Sequence, residues 1–190
     1  VAADLSRVTL SPSHASAFVA PRFALLYDEE FGRVTAVVQS LVGRRDIAEE
    51  IAQDAFVITY SRWGRIGGYD RPQDFVRRVA LNRAVSSLRR RSAERRALAR
   101  AGHRADAASG TPGVDGSSVD APLWQHVRNL PARQAQVIAL VYVEDLAVDH
   151  VAQILGISHS SVKTHLQRAR STLADAMRTE TPTTIRRERR

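Results

Sequence analysis

The chain of 190 residues is predicted to be all-α, with two small helical domains joined by a flexible linker. Three observations carry that reading. Apolar residues recur at 3.6-residue spacing over residues 22–97 and again over 122–177, without strand-like alternation. Residues 102–121, GHRADAASGTPGVDGSSVDA, are rich in Gly, Ser, Ala and Asp and bury too little apolar surface to offset the entropy of ordering them. Residues 146–173 carry the pattern of two short helices across a tight turn.

The elements follow in order. Residues 1–20 lack a sustained period and read as a loose arm. Residues 21–98 form the first block, with helices expected near 22–41, 45–62 and 73–97, separated by Gly43, by Gly64 to Gly68 and by Pro72. The linker is placed at 99–121 and the second block at 122–178, with breaks at Asn129–Pro131 and near Glu144–Asp145. The tail 179–190 ends in Arg-Arg-Glu-Arg-Arg and is read as disordered. Each block holds only about 55–75 residues, so its stability depends on tight helix packing or on a partner.

The stretch LAVDHVAQILGISHSSVKTHLQRARSTL, residues 146–173, is the most informative. Val148, Val151, Ile154 and Leu155 share a helical face, Gly156 breaks the helix, and Ser158 is placed to cap the next one. Val162, Leu166, Ala169 and Leu173 make the buried stripe of that second helix. Ala152, Gly156 and Val162 supply the small, positive-φ and core residues that a helix-turn-helix needs. The outward surface offers Ser158, His159, Ser160, Ser161, Lys163, Thr164, His165, Gln167, Arg168 and Arg170, with no acid among them. Hydroxyls and amides suit base edges and cations suit phosphates, so this is the expected duplex-DNA surface. A helical hairpin with a plain basic solvent face is the bland alternative.

The formal charge is +8, from 28 basic and 20 acidic residues, and Lys163 is the sole lysine. Arginine makes bidentate phosphate and guanine contacts, which suits a nucleic-acid partner; a GC-rich genome produces the same bias. Residues 77–104 hold ten arginines against the single acid Glu94, so this segment alone outweighs the net charge of the chain. Such a helix repels itself unless it meets a polyanion. Val76, Val79, Ala80, Ala84, Val85 and Leu88 still mark a buried face along it. Just upstream, Tyr60, Trp63 and Tyr69 interleave with Arg62, Arg65, Arg71 and glycines. Flat side chains with cations suit unstacked bases, although Tyr60 and Trp63 are equally plausible core residues.

The segment 44–56 is an amphipathic helix of another kind. Ile47, Ile51, Ala55 and Ile58 are expected to face inward, and Asp46, Glu49, Glu50, Gln53 and Asp54 outward. No histidine lies nearby and Arg44 and Arg45 compete for the charge, so a protein-docking face is expected rather than a metal or catalytic site. Neither a catalytic constellation nor a phosphate loop is recognised, and no cofactor is expected. The chain has no cysteine, which excludes disulfides and thiolate metal sites. No apolar run reaches the roughly 20 residues of a membrane span, and no secretory pattern is seen, so a cytoplasmic protein without membrane insertion is expected.

The order acidic helix, aromatic–arginine loop, arginine-rich helix, linker and helix-turn-helix closely resembles the extracytoplasmic-function (ECF) sigma factors of the sigma-70 family of bacterial RNA polymerase. DIAEEIAQDAFVITYSRW resembles region 2.2, RPQDFVRRVALNRAVSSLRRR resembles regions 2.3 and 2.4, and LPARQAQVIALVYVEDLAVDHVAQILGISHSSVKTHLQRAR resembles region 4. The Trp63 context and the arginine-rich style look most like the SigE-like actinobacterial group. The likeness departs at Ser86, Ser87 and Gln167, which bears on promoter sequence.

The resemblance implies core RNA polymerase and promoter DNA as partners, with an anti-sigma factor as a further one, and nucleoid association within the holoenzyme. Asp46, Glu49, Glu50, Ile51, Gln53, Asp54 and Phe56 would dock on the β′ coiled coil, and the 123–142 hairpin, through Leu130, Val137, Leu140 and Val141, on the β flap. Trp63, Arg65, Tyr69, Arg71, Arg78, Asn82, Arg83, Ser86, Arg89 and Arg90 would take the melted strand of the −10 element. The helix-turn-helix would read the −35 duplex, and the linker, with Asp106, Asp115 and Asp120, would thread toward the active-site channel. Three alternatives stay open: a stand-alone regulator binding operator DNA, an enzyme acting on DNA, and an adaptor that only binds polymerase.

Overall fold

A computed structural model describes residues 12–100 and 121–180. Every regular element among the described residues is a helix. The first domain contains α1 (Pro12–Val42), α2 (Arg45–Ser61), the single turn α3 (Trp63–Ile66) and α4 (Pro72–Arg100). The second contains α5 (Ala121–Asn129), α6 (Ala132–Tyr142), α7 (Val148–Leu155) and α8 (His159–Glu180). The expected linker lies almost wholly at 101–120, outside the described residues, as do residues 1–11 and 181–190.

Helix α1 departs from the sequence expectation. It begins at Pro12 and runs through Pro21, so part of the expected loose arm is helical. Pro12 sits in the first turn, where its missing N–H has no partner to lose, whereas Pro21 lies in the helix interior and forgoes one backbone hydrogen bond there. Helix α2 ends one residue before the predicted 62, and α4 extends three residues past 97.

In the first domain α1, α2 and α4 pack mutually. Val34, Val37, Val38 and Leu41 of α1 meet Ala48, Ala52, Ala55 and Phe56 of α2 and Val76, Ala80, Leu81 and Ala84 of α4. Small residues on α2 let the backbones approach, and Phe56 fills the remaining space. Around it Phe23, Tyr27, Phe31, Tyr60 and Trp63 form an aromatic cluster with centroids 4.9–6.2 Å apart, a spacing at which edge-to-face contacts are favourable.

In the second domain α8 is held by α5, α6 and α7. Val162, Leu166, Ala169 and Leu173 are buried, the stripe the sequence predicted. Gly156 takes φ +64° and closes α7, with the Ile157 N–H reaching Ala152 O at 3.1 Å. This is the left-handed C-terminal cap that glycine fills without a Cβ penalty. The two domains are in contact, α1 with α5 and α6, and α4 with α7.

Candidate nucleic-acid interface

Helix α8 presents a capped first turn and an exposed polar face. Ser158 caps it as expected: its Oγ accepts from the Ser161 N–H at 3.1 Å and lies 2.7 Å from the Ser161 hydroxyl. The cap satisfies a donor that the first turn leaves open. Ser160, Lys163, Thr164, Gln167 and Arg168 are exposed on one broad face. Thr164 donates to Ser160 O at 3.0 Å, which fixes its rotamer. His159 Nε2 lies 3.4 Å from the Asp149 carboxylate. His165 is half-buried, and its Nδ1 has no hydrogen-bond partner among the described residues. Arg170 is held to one side. Its Nε donates to the Tyr142 hydroxyl at 2.8 Å, and its guanidinium lies 5.7 Å from that ring centroid. Tyr142 was not singled out in the sequence, because its neighbour is 28 residues away.

The arginine-rich helix α4 is less uniform than its charge suggests. Arg89 and Arg90 are exposed, and Ser86 is exposed with its hydroxyl donating to Asn82 O. Arg83 donates to Asp54 of α2 at 2.8 Å, so an expected strand contact and an expected docking carboxylate hold each other. Arg78 donates to the carbonyls of Ile154 and Gln153, and Asn82 Oδ1 accepts from Gln136 at 3.2 Å. Both engagements are with the second domain. Arg77 belongs to no exposed cationic surface: it is 4% exposed, between Glu30 and Glu144 at 2.6 Å each.

Three expected contact residues are buried. Trp63 is 6% exposed, with its ring edge-to-face on Phe23 at 5.1 Å. It is a core residue of the turn α3 and cannot stack on a base in this structure. Phe56, at 2% exposure, and Ile51 are likewise in the core rather than on a docking edge. Ile51 lies on the inward stripe expected for α2, whereas Phe56 is buried because α1 and α4 cover a wider arc than the stripe of Ile47, Ile51, Ala55 and Ile58. Arg65, Tyr69 and Arg71 remain exposed around the 67–71 turn.

On α2, Glu50, Gln53 and Asp54 are exposed. Asp46 accepts from Arg44, which holds its carboxyl below the usual value, and Glu49 accepts from Arg45 at 2.8 Å. Beside this face lies an open groove of about 500 Å³ lined by Phe23, Tyr27, Gln53, Phe56, Val57 and Tyr60. Val57 is 67% exposed and Tyr60 53%. The aromatic i, i+4 spacings Phe23–Tyr27 and Phe56–Tyr60 were a usable signal for it. Among the described residues no cluster of His, Cys, Asp or Glu could hold a metal ion. No described helix is long and apolar enough to cross a membrane.

Two family descriptions match, in this order along the chain: Sigma-70 region 2 over residues 26–94 and Sigma-70 region 4 over residues 122–173. The chain belongs to the sigma-70 family. This sigma factor falls in the extracytoplasmic-function group, and its role is in promoter-directed transcription initiation. It is similar to the ECF RNA polymerase sigma factor SigW of Bacillus subtilis, 25% identical over 169 residues that span 82% of this chain and 89% of that protein. It is also similar to the RNA polymerase sigma-E factor of Streptomyces avermitilis, 27% identical over 139 residues, 68% of this chain and 70% of that one. Two solved structures share the fold. One is the sigma factor RpoE from Bartonella quintana, in complex with the anti-sigma factor NepR (TM-score 0.61, 20% identity, 83% of this chain, 98% of that chain). The other is CnrH in complex with the cytosolic domain of CnrY (TM-score 0.60, 19% identity, 86% of this chain, 96% of that chain).

Proposed function

We propose that this sigma factor, acting in the cytoplasm and without catalytic chemistry of its own, holds core RNA polymerase with one domain and reads a promoter with both. The observation that carries the reading is the pairing of a capped helix α8, free of acidic side chains from Ser158 to Arg170, with a separate helix bearing Arg78, Asn82, Arg83, Ser86, Arg89 and Arg90. Ser160, Lys163, Thr164 and Gln167 read base edges in duplex DNA, and Arg168 with Arg170 holds phosphates. The α4 face takes the opened strand, and Arg65, Tyr69 and Arg71 border the place where an unstacked base would sit. Unstacking costs a few kcal/mol, offset by stacking and arginine contacts.

The docking surface is the exposed acidic side of α2, Glu49, Glu50, Gln53 and Asp54, continued by Val57 and Tyr60 in the adjoining groove. Those two supply the apolar contact that the buried Ile51 and Phe56 cannot. A rim of carboxylates steers a basic partner and an apolar centre slows its release. An anti-sigma factor is a further partner, as in the RpoE–NepR complex.

The test is assembly. Purified full-length chain should co-elute with core RNA polymerase on size exclusion. Glu50→Arg should weaken that association about tenfold or more, with an unchanged circular dichroism spectrum. Normal assembly by the variant would remove α2 as the docking face.

A further inference from the structure

Several exposed arginines are tied to carboxylates. Arg45 donates to Glu49 at 2.8 Å, Arg83 donates to Asp54 at 2.8 Å, and Arg44 and Arg178 pair with Asp46 and Asp175. Such a pair answers the charge that a phosphate would otherwise meet. Arg170 of α8 is tied in another way. Its Nε donates to the Tyr142 hydroxyl at 2.8 Å, and its guanidinium carbon lies 5.7 Å from the centroid of the same ring. A phenol is neutral, so this tether orients the side chain and leaves its charge whole. The two Nη groups of Arg170 have no hydrogen-bond partner among the described residues.

Tyr142 itself has no place in the core. It is the last residue of α6 and is 55% exposed, whereas its neighbours Val141 and Val143 pack against the buried cluster. Hydrophobic burial therefore does not account for an aromatic ring at this position. Its contact with α8 does.

The place of Arg170 along α8 says what the tether serves. Lys163, Gln167 and Arg170 stand at i, i+4 and i+7, which puts them on one ridge of the helix. At 1.5 Å per residue, Arg170 lies about 10 Å further along the axis than Lys163. A recognition helix reads base edges with its N-terminal residues, in a major groove about 12 Å wide. A cation that far beyond the first reading residue meets the phosphate wall of the groove.

We infer that Tyr142 is a positioning residue for duplex DNA: its hydroxyl and ring hold the Arg170 guanidinium ready for a backbone phosphate at the edge of the upstream promoter element. The inference rests on the reading of α8 as the duplex-reading helix, and it adds to that helix a residue from α6. A free arginine loses rotamer freedom when it grips a phosphate, and here that loss is taken on folding. The Nη pair, still open, is the end of the fork that grips phosphate oxygens.

The test uses core RNA polymerase reconstituted with the full chain. Its binding to a fluorescein-labelled promoter duplex that ends upstream of the −10 element is measured over a range of salt, with core polymerase alone as the baseline. Tyr142→Phe removes only the hydroxyl and should weaken binding about threefold. Tyr142→Leu removes the ring as well and should weaken it about tenfold. Both losses should be equal across single-base variants of the duplex, because a phosphate carries no sequence. Arg170→Gln should make the dependence of log affinity on log salt shallower by about 0.9, whereas the Tyr142 variants, which keep the cation, should leave that slope at the wild-type value.

A double substitution separates positioning from a merely structural role. In an Arg170→Gln background, Tyr142→Leu should weaken binding no further, whereas a structural defect would persist there. Unchanged affinity in both single Tyr142 variants, a loss confined to particular base pairs, or a full further loss in the Arg170→Gln background would each overturn the inference and leave the duplex reading standing. Wild-type holoenzyme that binds the duplex no better than core polymerase alone would remove both.

Discussion

Lys163 is the single lysine of a chain with 28 basic residues, and it stands exposed on the outward face of α8. An ammonium on a flexible stem makes point contacts with guanine or phosphate, where arginine would make a rigid fork. Lys163→Ala should therefore cost about 1–3 kcal/mol of discrimination at one upstream promoter position, measured by competition between single-base variants of the promoter. Uniform weakening across all variants would assign Lys163 to a phosphate instead. Ser158 illustrates a residue whose role was legible beforehand: a serine after a helix-breaking glycine has few better uses than a cap. Trp63 illustrates the reverse. Its flanking arginines suggested a stacking platform, but whether an aromatic ring points outward depends on what lies across from it. The ring across from it, Phe23, is 40 residues earlier in the chain.

Helices were the legible element. Most of their ends follow from apolar spacing and from Gly43, Gly156 and Pro72, each of which breaks or starts a helix for a local steric reason, whereas the turn α3 falls where only a break was expected. The start of α1 was not legible, because Pro21 reads as a boundary when only neighbours in sequence are considered. The α7–α8 turn is the element on which duplex reading depends. Gly156→Ala places a Cβ in a left-handed conformation and 3.1 Å from Arg78. It should lower thermal stability by about 1–2 kcal/mol and reduce duplex binding by misdirecting α8. Chemical denaturation with a footprinting assay checks both. Unchanged stability would mean the turn relaxes to accommodate the side chain. The acidic face of α2 was legible as a face, whereas the groove beside it needed α1 to be placed, since Phe23 and Tyr27 supply its other wall.

At the scale of the molecule, the contact between domains was invisible to sequence reasoning: the partners Arg77–Glu144 and Asp74–His150 are 67 and 76 residues apart. Arg77 and Arg78 looked alike in an arginine run, yet one is buried in an ion cluster and the other hydrogen-bonded to the end of a helix. The raised Glu144 carboxyl gives this contact a pH dependence. Burial raises it and Arg77 partly opposes that shift. When the domains part, Glu144 returns to the ordinary value of about 4.3. The closed form thus binds the proton more tightly, and its stabilisation by Glu144 is fully present below the ordinary value and lost as pH rises through the raised one. Glu144→Gln should therefore flatten the pH dependence of thermal stability across that window. An unaltered profile in Glu144→Gln would assign the dependence to other groups. The central claim concerns where transcription begins, and the most direct measurement is start-site mapping on genomic DNA with core RNA polymerase reconstituted with the full chain. The account predicts a new set of start sites that share an upstream element and a −10 element and that shift or fade with Lys163→Ala. Start sites identical to those of core polymerase alone would contradict it.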